Sequence, residues 1–261
     1  MSRVAAVAVV VLLLLSGCAG VLSDEPTDTL VTDERTEQTD VPRVTSTSGA
    51  AATPANVEYP PGFSPTGITT RVVRNRTTRL LRNGPVVVSA LERFRPGAYA
   101  DYRYAANTTH ARFRLTVHNG YSDITEQDRY ANSTGRYSRI DRNDRTVFDA
   151  SNGTADETKS LSARRTWPVL SRILTFGEFR ASESYRADGE LRIRYELTGT
   201  IFENATDERG YLLVGGDGIV REAGMAYTRS GDPKRFEYAV LRRSDVRVES
   251  PPWLSAAVEG R

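Results

Sequence analysis

The chain has 261 residues, 39% hydrophobic and 8% aromatic, which supplies a core for one sizeable folded domain and excludes a wholly disordered polypeptide. Its single cysteine, Cys18, excludes intramolecular disulfides and cysteine metal clusters. The formal charge of +2 hides an asymmetry: residues 19–58 carry eight acidic side chains against two basic ones, and residues 59–261 carry 32 basic against 25 acidic.

Residues 1–17 are predicted to be an export signal. Arg3 precedes a continuous apolar run from Val4 to Leu15, and small residues follow. Twelve helical residues reach only about 18 Å, short of a hydrocarbon core of roughly 30 Å, so a transmembrane helix is the weaker reading. No Arg-Arg pair precedes the apolar run, which points to the Sec route. Leu15-Ser16-Gly17-Cys18 resembles the lipobox of bacterial and archaeal lipoproteins. The resemblance implies cleavage before Cys18, lipidation of its sulfur, and a lipid-anchored protein on the extracellular face of the cell membrane. Lipidation would also remove an otherwise unpaired thiol, and each buried methylene of the lipid adds about 0.8 kcal/mol of membrane affinity.

Residues 18–58 are rich in Thr, Ser, Asp, Glu, Ala and Pro, a composition that buries too little apolar surface to offset the entropy of ordering. They are predicted to be an acidic tether reaching roughly 35 Å as a flexible coil. Tyr59-Pro60-Pro61-Gly62-Phe63 ends it and begins a single folded domain over 59–261.

Within that domain, Ile68–Arg82 is predicted to be a helix, with Ile68, Val72, Val73, Leu80 and Leu81 on one stripe and Asn83-Gly84-Pro85 as its stop. From Pro85 the period becomes two. Phe113, Leu115 and Val117 alternate with Arg112, Arg114 and Thr116. Leu191, Ile193, Tyr195 and Leu197 alternate with Arg192, Arg194 and Glu196, and Phe236, Tyr238 and Val240 continue the pattern. These are half-buried antiparallel strands, punctuated by turn signals at Asn119-Gly120, Asn152-Gly153, Asp188-Gly189, Asp217-Gly218 and Ser230-Gly231. A second, short helix is predicted from an N-cap at Thr166, with Pro168 in its first turn, to Gly177. The fold class expected is α+β: a large curved antiparallel sheet with two short helices on one face.

This order of elements over residues 68–250 resembles the open half-barrel of LolA/LolB-like lipoprotein carriers, which implies an apolar cavity between sheet and helices. The lipobox, the acidic tether, Tyr59-Pro60-Pro61-Gly62, Gly67-Ile68, Gly216-Asp217-Gly218-Ile219-Val220 and Val248-Glu249-Ser250-Pro251-Pro252-Trp253-Leu254 also resemble a family of haloarchaeal surface lipoproteins of unknown function. That resemblance implies location and fold and no activity or cofactor.

Five of nine asparagines begin an Asn-x-Thr sequon: Asn75, Asn107, Asn132, Asn152 and Asn204. Fewer than two are expected from 47 Ser and Thr in 261 residues, so these are candidate N-glycosylation sites, the alternative being Asn/Thr-rich loops. His110 and His118, the only histidines, lie about 26 Å apart on one straight strand, too far to share a metal. No Ser-His-Asp arrangement supports a hydrolase, Asp141, Asn143, Asp144 and Asp149 do not match a calcium loop, and Gly215-Gly216-Asp217-Gly218 lacks the Lys-Ser/Thr of a phosphate loop. An enzyme is therefore not expected. Only Lys159 and Lys234 are lysines among 35 basic residues. Guanidinium forks suit phosphate or carboxylate partners, but no cluster argues for nucleic acid. Two functions follow. One is a monomeric binding module for a lipid, isoprenoid or other apolar ligand, lined by Phe113, Leu115, Val117, Leu191, Ile193, Tyr195, Phe236 and Tyr238. The other is a structural or interaction protein of the cell envelope, with a filled core and a protein partner.

Overall fold

Alternating apolar and polar residues put alternate side chains on opposite faces of a strand, and the chain obeys this over most of its length. Residues 57–120, 123–187, 189–242 and 245–259 are described in a computed structural model. The export signal, Cys18 and almost all of the acidic tether lie outside these residues.

Helix α1 (Thr70–Asn83) is followed by six strands: β1 (Val86–Arg95), β2 (Ala98–Ala106), β3 (Ala111–His118), β4 (Ile124–Ala131), β5 (Arg136–Arg142) and β6 (Thr146–Ser151). A second helix, α2 (Ala155–Phe176), leads to β7 (Gly177–Ala187), β8 (Glu190–Thr200), β9 (Ala205–Gly215), β10 (Val220–Arg229) and β11 (Asp232–Arg242), and a short α3 (Leu254–Glu259) closes the chain. The strands form one sheet in the order β6-β5-β4-β3-β2-β1-β11-β10-β9-β8-β7. Every pairing is antiparallel, with β1 against β11 at the centre. The strands β6 and β7 are the two edges of the sheet, and α2 carries the chain from one to the other. The result is the α+β open half-barrel expected from the order of elements.

Register lines up the inward side chains. Val88 lies between Tyr104 and Val240, Phe113 is opposite Tyr104, and Ile193 is opposite Val214. All are buried in one core with Leu170 and Ile173 of α2 and Val73 and Leu81 of α1. The first helix stops where expected, and the Gly84 N–H closes its last turn on the Leu80 carbonyl at 2.9 Å. The buried Tyr104 hydroxyl donates to the Leu81 carbonyl at 2.9 Å.

The second helix departs from the sequence reading. It starts at Ala155 and runs for 22 residues with Pro168 inside it, so Thr166 is a buried interior residue and caps nothing. Its hydroxyl donates back to the Ser162 carbonyl, and Ser162 donates in the same way to Thr158. Proline within a helix costs about 3 kcal/mol. Val169, Leu170 and Ile173 are each fully buried and recover roughly 1.5–3 kcal/mol apiece. The exposed position of Pro168 lets the ring face solvent. Burial wins, and the helix runs through.

The outer face of the sheet has its own small core. Tyr130, Tyr137, Trp253 and Ala257 are buried together, with Val248 and Leu254 packed against them. The chain after β11 thus straps over the outside of β4 and β5. Elsewhere the outer face carries arginine–carboxylate pairs two residues apart on one strand: Arg103 with Asp101, Arg139 with Asp141, Arg194 with Glu196 and Arg235 with Glu237. Residues i and i+2 share a face of a strand, so these charges neutralise each other locally.

Candidate functional site

The eight side chains expected to line a ligand chamber do converge on the concave side, but what they meet there is protein. Phe113, Ile193, Tyr195, Phe236 and Tyr238 are buried in the main core, with Leu115 and Leu191 packed partly buried against it, and Val117 is half-buried on β3. Phe63, from the segment that enters the domain, sits 5.8 Å from Tyr195 between ring centres. The Tyr195 hydroxyl donates to the Ser64 carbonyl at 3.1 Å. Burial pushes the Tyr195 and Tyr238 hydroxyls well above the ordinary tyrosine range. Two clefts, of about 430 and 400 Å³, open on the surface, and none of the eight residues lines either.

The larger cleft lies between the first turns of α2 and the concave side of β4 and β5, and its lining includes Arg129, Arg136, Glu157, Thr158, Leu161 and Arg164. Arg129 is inward because it stands opposite Phe113 on one side and Ser138 on the other. Arg136 is inward beside Ala131. Its guanidinium pairs with Glu157 at 2.6 Å and donates to the Ser151 hydroxyl at 3.1 Å. Asp156 is held by Lys159 at 3.2 Å. Burial lowers the Arg129 guanidinium from its ordinary value, and the charges of Arg136 and Arg165 lower it further. The Thr158 side chain is 1% exposed and its hydroxyl is without a hydrogen-bond partner. The sequence reading missed these residues. The signal that finds them is parity, since Gln127, Arg129 and Ala131 continue the inward side of β4 and place an arginine where an apolar residue is usual.

The smaller cleft lies beside β7 and is lined by Thr66, Ile68, Glu178, Arg180 and Thr198 among others. Here the entering segment covers part of the sheet edge, because the Pro65 carbonyl accepts from the Ala181 N–H at 2.8 Å.

The sequons separate into three kinds. Asn107 and Asn132 build equivalent hairpin turns. Each side-chain oxygen accepts from the backbone N–H groups two and three residues on, at 3.0 and 2.8 Å for Asn107 and at 2.9 and 3.1 Å for Asn132. The Asn107 amide also donates to the Val246 carbonyl at 3.2 Å. Asn75 is exposed on α1 while Thr77 of the same sequon is buried. Asn152 and Asn204 are exposed between elements. The two histidines are apart from one another: His118 stacks on Tyr99 at 5.3 Å and His110 lies 6.1 Å from Tyr130 between ring centres. No helix among the described residues is long and apolar enough to cross a membrane.

Two of the marked sequence motifs meet in space. Arg76 of α1 donates to the Asp217 carbonyl in the β9–β10 hairpin at 2.6 Å. Gly218 there has a φ of +74° and lies where an added Cβ would stand 3.2 Å from the Pro61 carbonyl. The Gly216-Asp217-Gly218 turn is therefore a seat for Pro60-Pro61-Gly62.

No family model and no curated protein matches the chain. Among solved structures, it is similar to a DUF1329 family protein from Desulfovibrio piger, at 10% identity over 75% of this chain and 100% of that chain, with a TM-score of 0.24. It is also similar to MucB in complex with MucA(peri), at 14% identity over 70% of this chain and 59% of that one, with a TM-score of 0.29. The MucA/MucB complex of Pseudomonas aeruginosa matches at 14% identity over 70% and 64%, with a TM-score of 0.28. The chain thus spans less than two thirds of both MucA/MucB chains, and likeness at these scores carries no argument about activity, ligand or partner.

Proposed function

We propose that this chain is a lipid-anchored protein on the extracellular face of the cell membrane that works through contacts of its exterior, holding no apolar ligand and performing no catalysis. The observation that carries the reading is the place of α2. Its Val169, Leu170 and Ile173 are fully buried among the side chains that would otherwise line a chamber. Placement rests on the resemblance of Leu15-Ser16-Gly17-Cys18 to a lipobox and on the motifs that resemble those of haloarchaeal surface lipoproteins. Exposed Asn152 and Asn204 are the sequons best placed to carry glycans. The partner is a protein of the envelope, and the free edge of β6 offers it a strand to pair with, with Val147 and Phe148 each 40% exposed.

Photo-crosslinking on intact cells tests this, with the crosslinker placed at Val147 in the native chain and in C18S. The reading expects the native protein in the membrane fraction and joined to an envelope protein, and C18S released into the medium without that adduct. Membrane retention of C18S, or no protein adduct on intact cells, would overturn it.

A further inference from the structure

Several arginines of the described residues are matched by carboxylate. The outer face pairs Arg103, Arg139, Arg194 and Arg235 with acidic residues on the same strands, and on the concave side Arg172 pairs with Glu92. Arg129 is held by a neutral partner: the Gln127 amide, turned so that its oxygen faces the guanidinium, accepts from Arg129 at 3.2 and 2.9 Å. It points inward from β4, is half-buried, and takes part in none of the ion pairs of the described residues. Arg164, one helical turn beyond Leu161 on α2, lines the same cleft and is likewise without an ion pair. Two carboxylates also line it, but Asp156 is held by Lys159 and Glu157 by Arg136. Neither Arg129 nor Arg164 has an ion-pair partner in the cleft, although the Asp149 carboxylate on the same inward side attracts Arg129. Burial makes the Arg129 charge costly, and an anion in the cleft would offset part of that cost.

Three further features point to the kind of anion. Thr158 lines the cleft, and its buried hydroxyl, which has no hydrogen-bond partner, has a proton to donate. The cleft is also at the N-terminus of a 22-residue helix whose N-cap Thr154 makes no side-chain cap hydrogen bond and whose first turn carries Asp156 and Glu157. Donors arriving from a strand, a helix side and a helix end suit a tetrahedral oxyanion better than a planar carboxylate, and guanidinium forks match its oxygen pairs. At about 430 Å³, the cleft has room for a substituent beyond one phosphate.

We propose that this cleft binds a phosphate group, with Arg129 and Arg164 as its cationic clamps and the Thr158 hydroxyl as a donor. The phosphate comes either from a soluble phosphate ester or from a lipid headgroup, and both present the same oxygens.

The test is isothermal titration calorimetry on the purified full chain at low ionic strength, where screening is least. The probes are inorganic phosphate, glycerol phosphate, the diester glycerophosphoglycerol, and acetate as a planar control. Saturable phosphate binding, weakened at least tenfold in R129Q and in R164Q and unchanged in R82Q, supports the site. A diester that binds at least as well as the monoester assigns the phosphate to a headgroup, and preference for the monoester assigns it to a soluble ester. Circular dichroism guards against misfolding, and R164Q, on an exposed position, keeps the test valid if R129Q fails to fold. No binding by the native chain, unchanged affinity in R164Q, or acetate binding as tightly as phosphate would each overturn the proposal.

Discussion

The indole N–H of Trp253 donates to Asp128 Oδ2 at 2.8 Å across 125 positions of sequence, and Asp128 is fully buried beneath it. Arg112 grips the same carboxylate with two nitrogens, at 3.1 and 2.7 Å. A buried carboxylate is tolerated only when its oxygens are satisfied. This one is satisfied from one side by a neighbouring strand and from the other by the C-terminal strap. The ring of Tyr130 completes the joint, with its hydroxyl 3.1 Å from that of Ser250.

Replacing Trp253 by Phe keeps most of the packing and removes the donor. Hydrogen bonds to charged groups are worth about 1.5–3 kcal/mol, so W253F should lose that much in chemical denaturation. D128N should lose at least as much, because it also strips Arg112 of its partner.

Glu92 gives the pH dependence a definite sign. It is 4% exposed on the concave side of β1 and pairs with Arg172 of α2. Burial raises its carboxyl from the ordinary value of 4.5, with Arg172 pulling in the other direction. A carboxyl whose folded pKa is raised holds its proton more tightly when folded, so its contribution is complete below pH 4.5 and is lost as pH rises through the raised value. The native chain should therefore lose stability in thermal melts from pH 4 towards neutrality, and E92Q should lack the Glu92 part of that decline. A decline of the same size in E92Q would contradict the assignment.

The Pro61–Gly218 junction is testable by backbone strain. An L-residue in the left-handed region costs about 1–2 kcal/mol, and a Cβ at Gly218 would also crowd the Pro61 carbonyl and the Arg76 side chain. G218A should lower stability by at least that amount. Combined with R76A it should lose less than the sum of the two single changes, because both act on one contact.

In the Asn132 turn, the side-chain oxygen does the structural work and the amide nitrogen would carry a glycan. N132D keeps the acceptor and removes the sequon, so its stability should stay within about 0.5 kcal/mol of the native chain. N132A should lose about 1 kcal/mol by analogy with the loss of a cap. Unequal melts of the two variants, made in a host that does not glycosylate, would bear this out, and equal ones would refute it.

Most of the fold was legible in the sequence because period-two alternation is a strong signal. Phe113, Leu115 and Val117, and Leu191, Ile193 and Tyr195, lie on the inner side as their spacing requires, and Asn83-Gly84-Pro85 stops α1 as turn chemistry demands. Pro168 misled because proline reads locally as a first-turn residue, whereas tertiary burial on either side of it sets the length of α2. The filled concave side was not legible for the same reason. The same inward-facing apolar residues describe a ligand chamber or a core, and only the path of α2 decides between them. Arg129 and Asp128 were hidden because each stands in a strand whose average pattern is ordinary. Asp128 matters for a partner 125 positions away, and Arg129 for the cleft it lines.

The middle of the concave side is occupied by α2, and I173A probes this packing indirectly, with an expected loss of about 2–5 kcal/mol from the cavity it leaves. The direct measurement is native mass spectrometry of the protein purified from its own host. Expected is a chain beginning at a lipid-modified Cys18, with any glycans attached and no apolar molecule released on activation. A phosphate-free apolar molecule that co-purifies non-covalently and leaves at raised collision energy would contradict it.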